Sequence, residues 1–171
     1  HKPVNPALDL GARLADPTKK REESMSAEKR LADLGLVLPP PAQPAGNYVP
    51  YKRTGNLLLL SGVGPHKADG SFMTGVVGGD LSVEEGYNAA RQCGLVLMAH
   101  MRAALGSLDR VAEVVKVLGM VRCAPDFGKQ PEVINGCTDL FVDVFGDAGR
   151  PSRSAVGMMA LPRGIAVEIE A

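Results

Sequence analysis

The apolar pattern of this 171-residue chain predicts an α+β domain, a mixed β-sheet with two helices packed on one face. Two observations carry that expectation. Two long stretches place apolar residues three and four apart between helix start and stop signals. Around them lie short leucine-rich or β-branched runs cut off by Gly and Pro, the mark of strands and turns.

Taken in order, residues 1–24 mix Pro, charge and scattered Leu without a sustained period. They read as a leader or N-terminal extension, with "MSAEKRLADLG" resembling a natural start at Met25. Residues 25–46 are predicted to hold a short helix and a linker. Ser26 can cap the helix, Glu28 lies in its first turn, Leu31 and Leu34 share a face, and Gly35 ends it. "LPPPAQPAGN" must then run extended.

The main domain is predicted over residues 47–171. "YVPYKRTGNLLLLSGVGP" contains two strands around Thr54-Gly55-Asn56, and the run of leucines suggests that the second is buried on both faces. "HKADGSFMTGVVGGDL" reads as loop with room for one short strand. Ser82-Val83-Glu84-Glu85 is a capping box. It opens a helix whose Tyr87, Ala90, Gly94, Leu97, Met98, Met101 and Leu105 share a face as far as Gly106. "RVAEVVKVLGMVRC" predicts a strand bulged or bent at Gly119. A second helix opens at Pro131, buries Val133, Cys137, Leu140, Phe141 and Val144, and stops at Gly146. "SAVGMMAL" and "IAVEIEA" are the last strands, separated by Pro162-Arg163-Gly164.

Composition narrows the function. Nineteen basic and nineteen acidic residues give a formal charge of zero, without the basic field that phosphate binding draws on. The apolar runs, Leu57 to Leu60 among them, are far too short for a membrane span, and no signal leader is visible, so a cytoplasmic protein is expected. Cys93, Cys123 and Cys137 are widely spaced and read as reduced, buried small hydrophobes. No phosphate-binding loop, dinucleotide fingerprint, zinc-protease motif or serine-hydrolase elbow occurs, and no metal-ligand spacing is visible. His1, His66 and His100 are isolated, and His100 is expected at or near the surface of its helix.

Polar residues in unusual places remain. Arg153 and Ser154 open an apolar strand, while Glu168 and Glu170 alternate with Val167 and Ile169, which puts both carboxylates on one face of a strand. They either face solvent or act together, Arg153 offering a planar fork to a small carboxylate and a glutamate orienting a water.

Three segments resemble the Rid/YjgF family of reactive-intermediate deaminases, once labelled L-PSP endoribonucleases. They are "GNYVPYKRTGNLLLLSGVGP", "VINGCTDLFVDVFGD" and "RPSRSAVGMMALPRGIAVEIEA", in the family's order and spacing from about Tyr48 to Glu170. The resemblance implies a chorismate-mutase-like fold, a homotrimer and ligand sites in clefts between subunits. It implies no cofactor and no metal. On it, Arg153 binds the carboxylate of a 2-imino acid, Tyr48 walls the cleft, Ser61 and Gly62 offer backbone partners, and Asn135 is a polar neighbour. Glu168 would help hold the attacking water with the backbone carbonyl of Ala155. The chain departs from the family pattern in having Ala155 where Cys is common and Val63 where Gln follows the Ser-Gly pair. Cys137 faces the core by its helical period and is not expected to be a nucleophile.

The activity so implied is hydrolysis of 2-imino or enamine acids to 2-keto acids and ammonia. A trimer that binds small carboxylate metabolites without turnover is the alternative. RNA cleavage is weaker still, since there is neither a basic field nor an acid–base pair of histidines.

Overall fold

The computed structural model describes residues 26–67 and 69–171, so the reading of residues 1–24 as a leader lies outside it. Helix α1 spans Ala27–Asp33; the hydroxyl of its N-cap Ser26 accepts from the Lys29 amide. It docks through buried Leu31 and through Glu28, whose carboxylate accepts from the Arg102 guanidinium and from the Leu108 amide at 2.9 Å.

Strands β1 (Tyr51–Thr54) and β2 (Leu57–Leu60) form an antiparallel hairpin with Tyr51 opposite Leu60. Its tight turn uses Gly55 at φ 55°, where a side chain would be strained. Helix α2 (Val83–Leu105) opens with the complete Ser82–Glu85 capping box and ends at left-handed Gly106. Strand β3 (Lys116–Arg122) follows a single 3₁₀ turn, and helix α3 (Gln130–Phe145) carries the chain over to β4 (Ser152–Met158), which pairs parallel with β3. Strand β5 (Val167–Glu170) returns antiparallel on the other edge of β3, giving the order β4-β3-β5.

The hairpin joins this sheet through β5. The Leu60 amide donates to the Ala171 carbonyl at 2.8 Å, and Val63 and Ile169 exchange two backbone hydrogen bonds. Three residues on one side thus match two on the other, so Ser61-Gly62 is a β-bulge. The bulge turns this stretch of backbone toward the end of the sheet where the polar residues lie.

Both helices cover one face. Val117, Gly119 and Val121 of β3 and Val167 and Ile169 of β5 are buried beneath them, with Phe141, Leu97, Leu140 and Ile134 filling the core. The helices approach closely because Gly136 and Gly94 lack side chains; a Cβ on Gly136 would overlap the Tyr87 carbonyl.

Three expectations are corrected. β2 is covered on only one face, since Leu57 and Leu59 are 50% and 55% exposed while Leu60 is buried. β3 is neither bulged nor broken at Gly119, whose pairing with Ala155 and Ile169 continues the register on both sides. The glycine is there because the Ile134 side chain occupies the space of a Cβ. The segment before α2 forms isolated bridges, His66 with Phe72 and Thr74 with Ile165, instead of a strand.

Candidate active site

Two polar clusters stand on this frame. The first is built on β4 and α3. Arg153 lies opposite buried Val117, so its side chain points to the helical face of the sheet. One turn of α3 there presents Asn135 and Thr138 three residues apart, and their oxygens accept from Arg153 Nη1 at 2.7 and 3.0 Å. Arg153 is half-buried and has no ion-pair partner among the described residues. Among the described residues nothing bonds its Nε or Nη2, which can donate to a ligand. Ala155 follows on the same face, opposite Gly119. Burial pushes the thiol of Cys137 far up, against the pull of the Arg153 charge, and the same burial raises Cys93. Neither thiol is a nucleophile at neutral pH.

The second cluster surrounds a cavity of about 280 Å³ at the bulge. Tyr48, Ser61, Gly62 and Glu168 line it. Ser61 pins the backbone just ahead of β1, its hydroxyl donating to the Val49 carbonyl at 2.7 Å and its amide to the Pro50 carbonyl at 3.0 Å. The Tyr48 hydroxyl accepts from the Ala45 amide at 3.3 Å. Glu168 lies opposite Met120, on the open face of the sheet, with its carboxylate folded over Gly62 where any Cβ would overlap it. Burial raises the Glu168 carboxyl above its ordinary value, and the nearby Glu170 charge adds to the rise.

A single chain does not bring the two clusters together. β3 separates β4 from β5, a gap of about 9.5 Å at two strand spacings. Arg153 and Glu168 also point to opposite faces of that sheet. Tyr48, Ser61, Gly62 and Glu168 form one group, and Arg153, Asn135 and Ala155 the other.

The cavity holds residues that the sequence reading passed over. His66, Phe72, His100 and Arg163 line it beside residues Ala42 to Ala45 of the linker. His100 is a correction: at 2% exposure it is core, not surface. The signal was present, because Cys93, Leu97 and His100 continue the three-and-four spacing of the buried face of α2.

These features define a small α+β protein with both helices on one face of a mixed sheet and two separate polar clusters at its edges. The family model described as "YjgF/chorismate_mutase-like, putative endoribonuclease" matches residues 28–165, and the chain belongs to this YjgF/Rid family. "Protein TCP17" of Trypanosoma cruzi is 48% identical over 142 residues, covering 82% of this chain and 89% of that protein. The crystal structure of Atu1372 from Agrobacterium tumefaciens shares 41% identity at a TM-score of 0.77, covering 85% of this chain and 88% of its own. That of RidA from an Antarctic Psychrobacter shares 26% identity at a TM-score of 0.54, covering 77% and 89%. Among the described residues no helix is long and apolar enough to cross a membrane.

Proposed function

We propose that the chain hydrolyses 2-imino acids to 2-keto acids and ammonia in a cleft completed by a second copy of itself, within a homotrimer. The observation that carries this reading is Arg153, a half-buried guanidinium held by two neutral oxygens and by no carboxylate among the described residues. Asn135 and Thr138 orient the fork without neutralising it, which leaves its charge for a small carboxylate. The likeness to a protein named RidA supports the same chemistry.

An imine carbon is already electrophilic, so positioning does most of the catalysis. Arg153 fixes the substrate carboxylate, and Glu168 from the neighbouring copy takes a proton from the attacking water. The water oxygen bonds to the imine carbon, the nitrogen takes up the proton held by Glu168 and then that of the new hydroxyl, and the C–N bond breaks to leave the keto acid and ammonia. Tyr48 forms a wall of the cleft, and the Gly62 amide and Ala155 carbonyl complete it. The open sheet face suits an interface, since Leu57, Leu59, Val156 and Met158 stand exposed on it.

The test is keto-acid release while 2-iminobutanoate is generated in situ. Arg153→Ala should lower the enzymatic rate about 10- to 100-fold, the worth of one charge-assisted contact. A variant that keeps the native rate overturns the assignment.

A further inference from the structure

His100 has an environment that the reaction above does not use. Its ring is 2% exposed, and among the described residues neither nitrogen has a hydrogen-bond partner. The Ala42 backbone lies near enough to favour the charged ring but outside hydrogen-bonding geometry, while burial lowers the imidazole below its usual value. A buried polar ring left without partners is costly; it borders the cavity, but its nitrogens have no accessible surface, so a ligand there supplies partners only as the ring turns.

Around His100 the cavity is positive on one side and apolar on the other. Arg163 lines it from a left-handed backbone, φ 57°, in the turn before β5. That conformation is unusual for a residue with a side chain, and such strain gathers at functional sites. The guanidinium sits over the Phe72 ring, 5.7 Å from its centroid, and makes no hydrogen bond or ion pair among the described residues. His66 packs on Phe72 at 4.4 Å between centroids, its Nδ1 3.2 Å from the Gly64 carbonyl. Among the described residues Glu168 is the one carboxylate on the cavity, and it belongs to the reacting end.

The size agrees with this. A cavity of about 150 Å³ takes up a benzene ring. This one, at about 280 Å³, has more room than a three- or four-carbon imino acid would use.

We infer that His100, His66 and Arg163 form a subsite for a second carboxylate, and that the preferred substrate is a dicarboxylic 2-imino acid. The inference rests on the deaminase reading for the reacting end alone. The substrate's first carboxylate meets Arg153, its imine carbon lies at Glu168, and its side chain runs along Phe72 to place the second carboxylate between Arg163 and the ring nitrogens of His100. Linker residues Ala42 to Ala45 close the far wall, so the segment ahead of the main domain takes part in selection.

Stable keto acids test the subsite without turnover. Calorimetry on the full chain should find 2-oxoglutarate bound at least about tenfold more tightly than 2-oxobutanoate, as a charge-assisted contact would give. Arg163→Ala and His100→Leu should each reduce that preference to about threefold or less. Arg163 is exposed, so its variant folds even where the His100 substitution disturbs the core. Equal affinity for the two acids, or a preference that survives Arg163→Ala, overturns the subsite. Selective binding with no imine hydrolysis would uphold the subsite and sink the deaminase reading; hydrolysis of small imines without selectivity would do the reverse.

Discussion

Glu168 is held where its charge is disfavoured, half-buried beside Glu170 and above the bulge. A carboxyl whose folded pKa is raised binds its proton more tightly in the native state. Its contribution to stability is therefore present below the ordinary carboxylate value and lost as pH rises through the higher folded value. Glu168→Gln should accordingly raise the melting temperature at pH 7, by roughly 1–3 °C given its partial exposure, while abolishing hydrolysis. The gain should vanish in melts below about pH 4. The native enzyme's activity should fall on the acid side with a midpoint above the ordinary carboxylate range. An unchanged melting temperature at pH 7 would place the glutamate in solvent. The sequence pattern marks Arg153 and Glu168 only as charged residues inside apolar strands, and the roles proposed for them come from the family resemblance. His100 was not legible, since an isolated histidine gives no sign of burial apart from the period of its own helix.

At the scale of elements, contacts between helices decide how firmly the cavity wall is held. Glu28 ties α1 to α2 by accepting from Arg102 and from the Leu108 amide, and these bonds lower its pKa despite the opposing effect of burial. Glu28→Gln should speed amide exchange across Ala27–Asp33 about tenfold, the effect of losing roughly one charged hydrogen bond, while α3 keeps its protection. Acid should do the same to the native chain as pH falls through the lowered pKa of Glu28, because a depressed carboxyl stabilises only while ionised. Gly136→Ala should instead lower the melting temperature of the whole domain by roughly 3–10 °C, since its methyl meets the Tyr87 carbonyl and the helix pair must separate. The elements themselves were readable: the capping box, Pro131 and the stop glycines mark both helices within a residue or two. Gly119 misled because a strand glycine signals either a bend or a close neighbour, and only the position of Ile134 tells which. Leucine content likewise could not show that Leu57 and Leu59 lack a covering layer within one chain.

At the scale of the whole molecule, Arg153 and Glu168 point to opposite faces of one sheet with β3 between them. No side-chain rearrangement brings both onto one small imino acid, so turnover through both requires two copies. Cyclic closure then gives each copy two half-sites, one lending Arg153 and the other lending Glu168. The prediction is complementation between two impaired variants. Arg153→Ala and Glu168→Gln chains, each no more than about a tenth as active as the native chain, are unfolded together and refolded as a mixture. A cleft is restored only where the Arg153-bearing chain meets the Glu168-bearing one in the right order. Random assembly produces that in about one cleft in four, so roughly a quarter of native activity should return. Mixing the folded variants without refolding should return far less until subunits exchange. If activity after refolding stays at the level of the separate variants although mass measurements show mixed oligomers, the two residues do not serve one cleft. Glu168 would then act, if at all, within its own chain's cavity, leaving Arg153 to bind a carboxylate elsewhere.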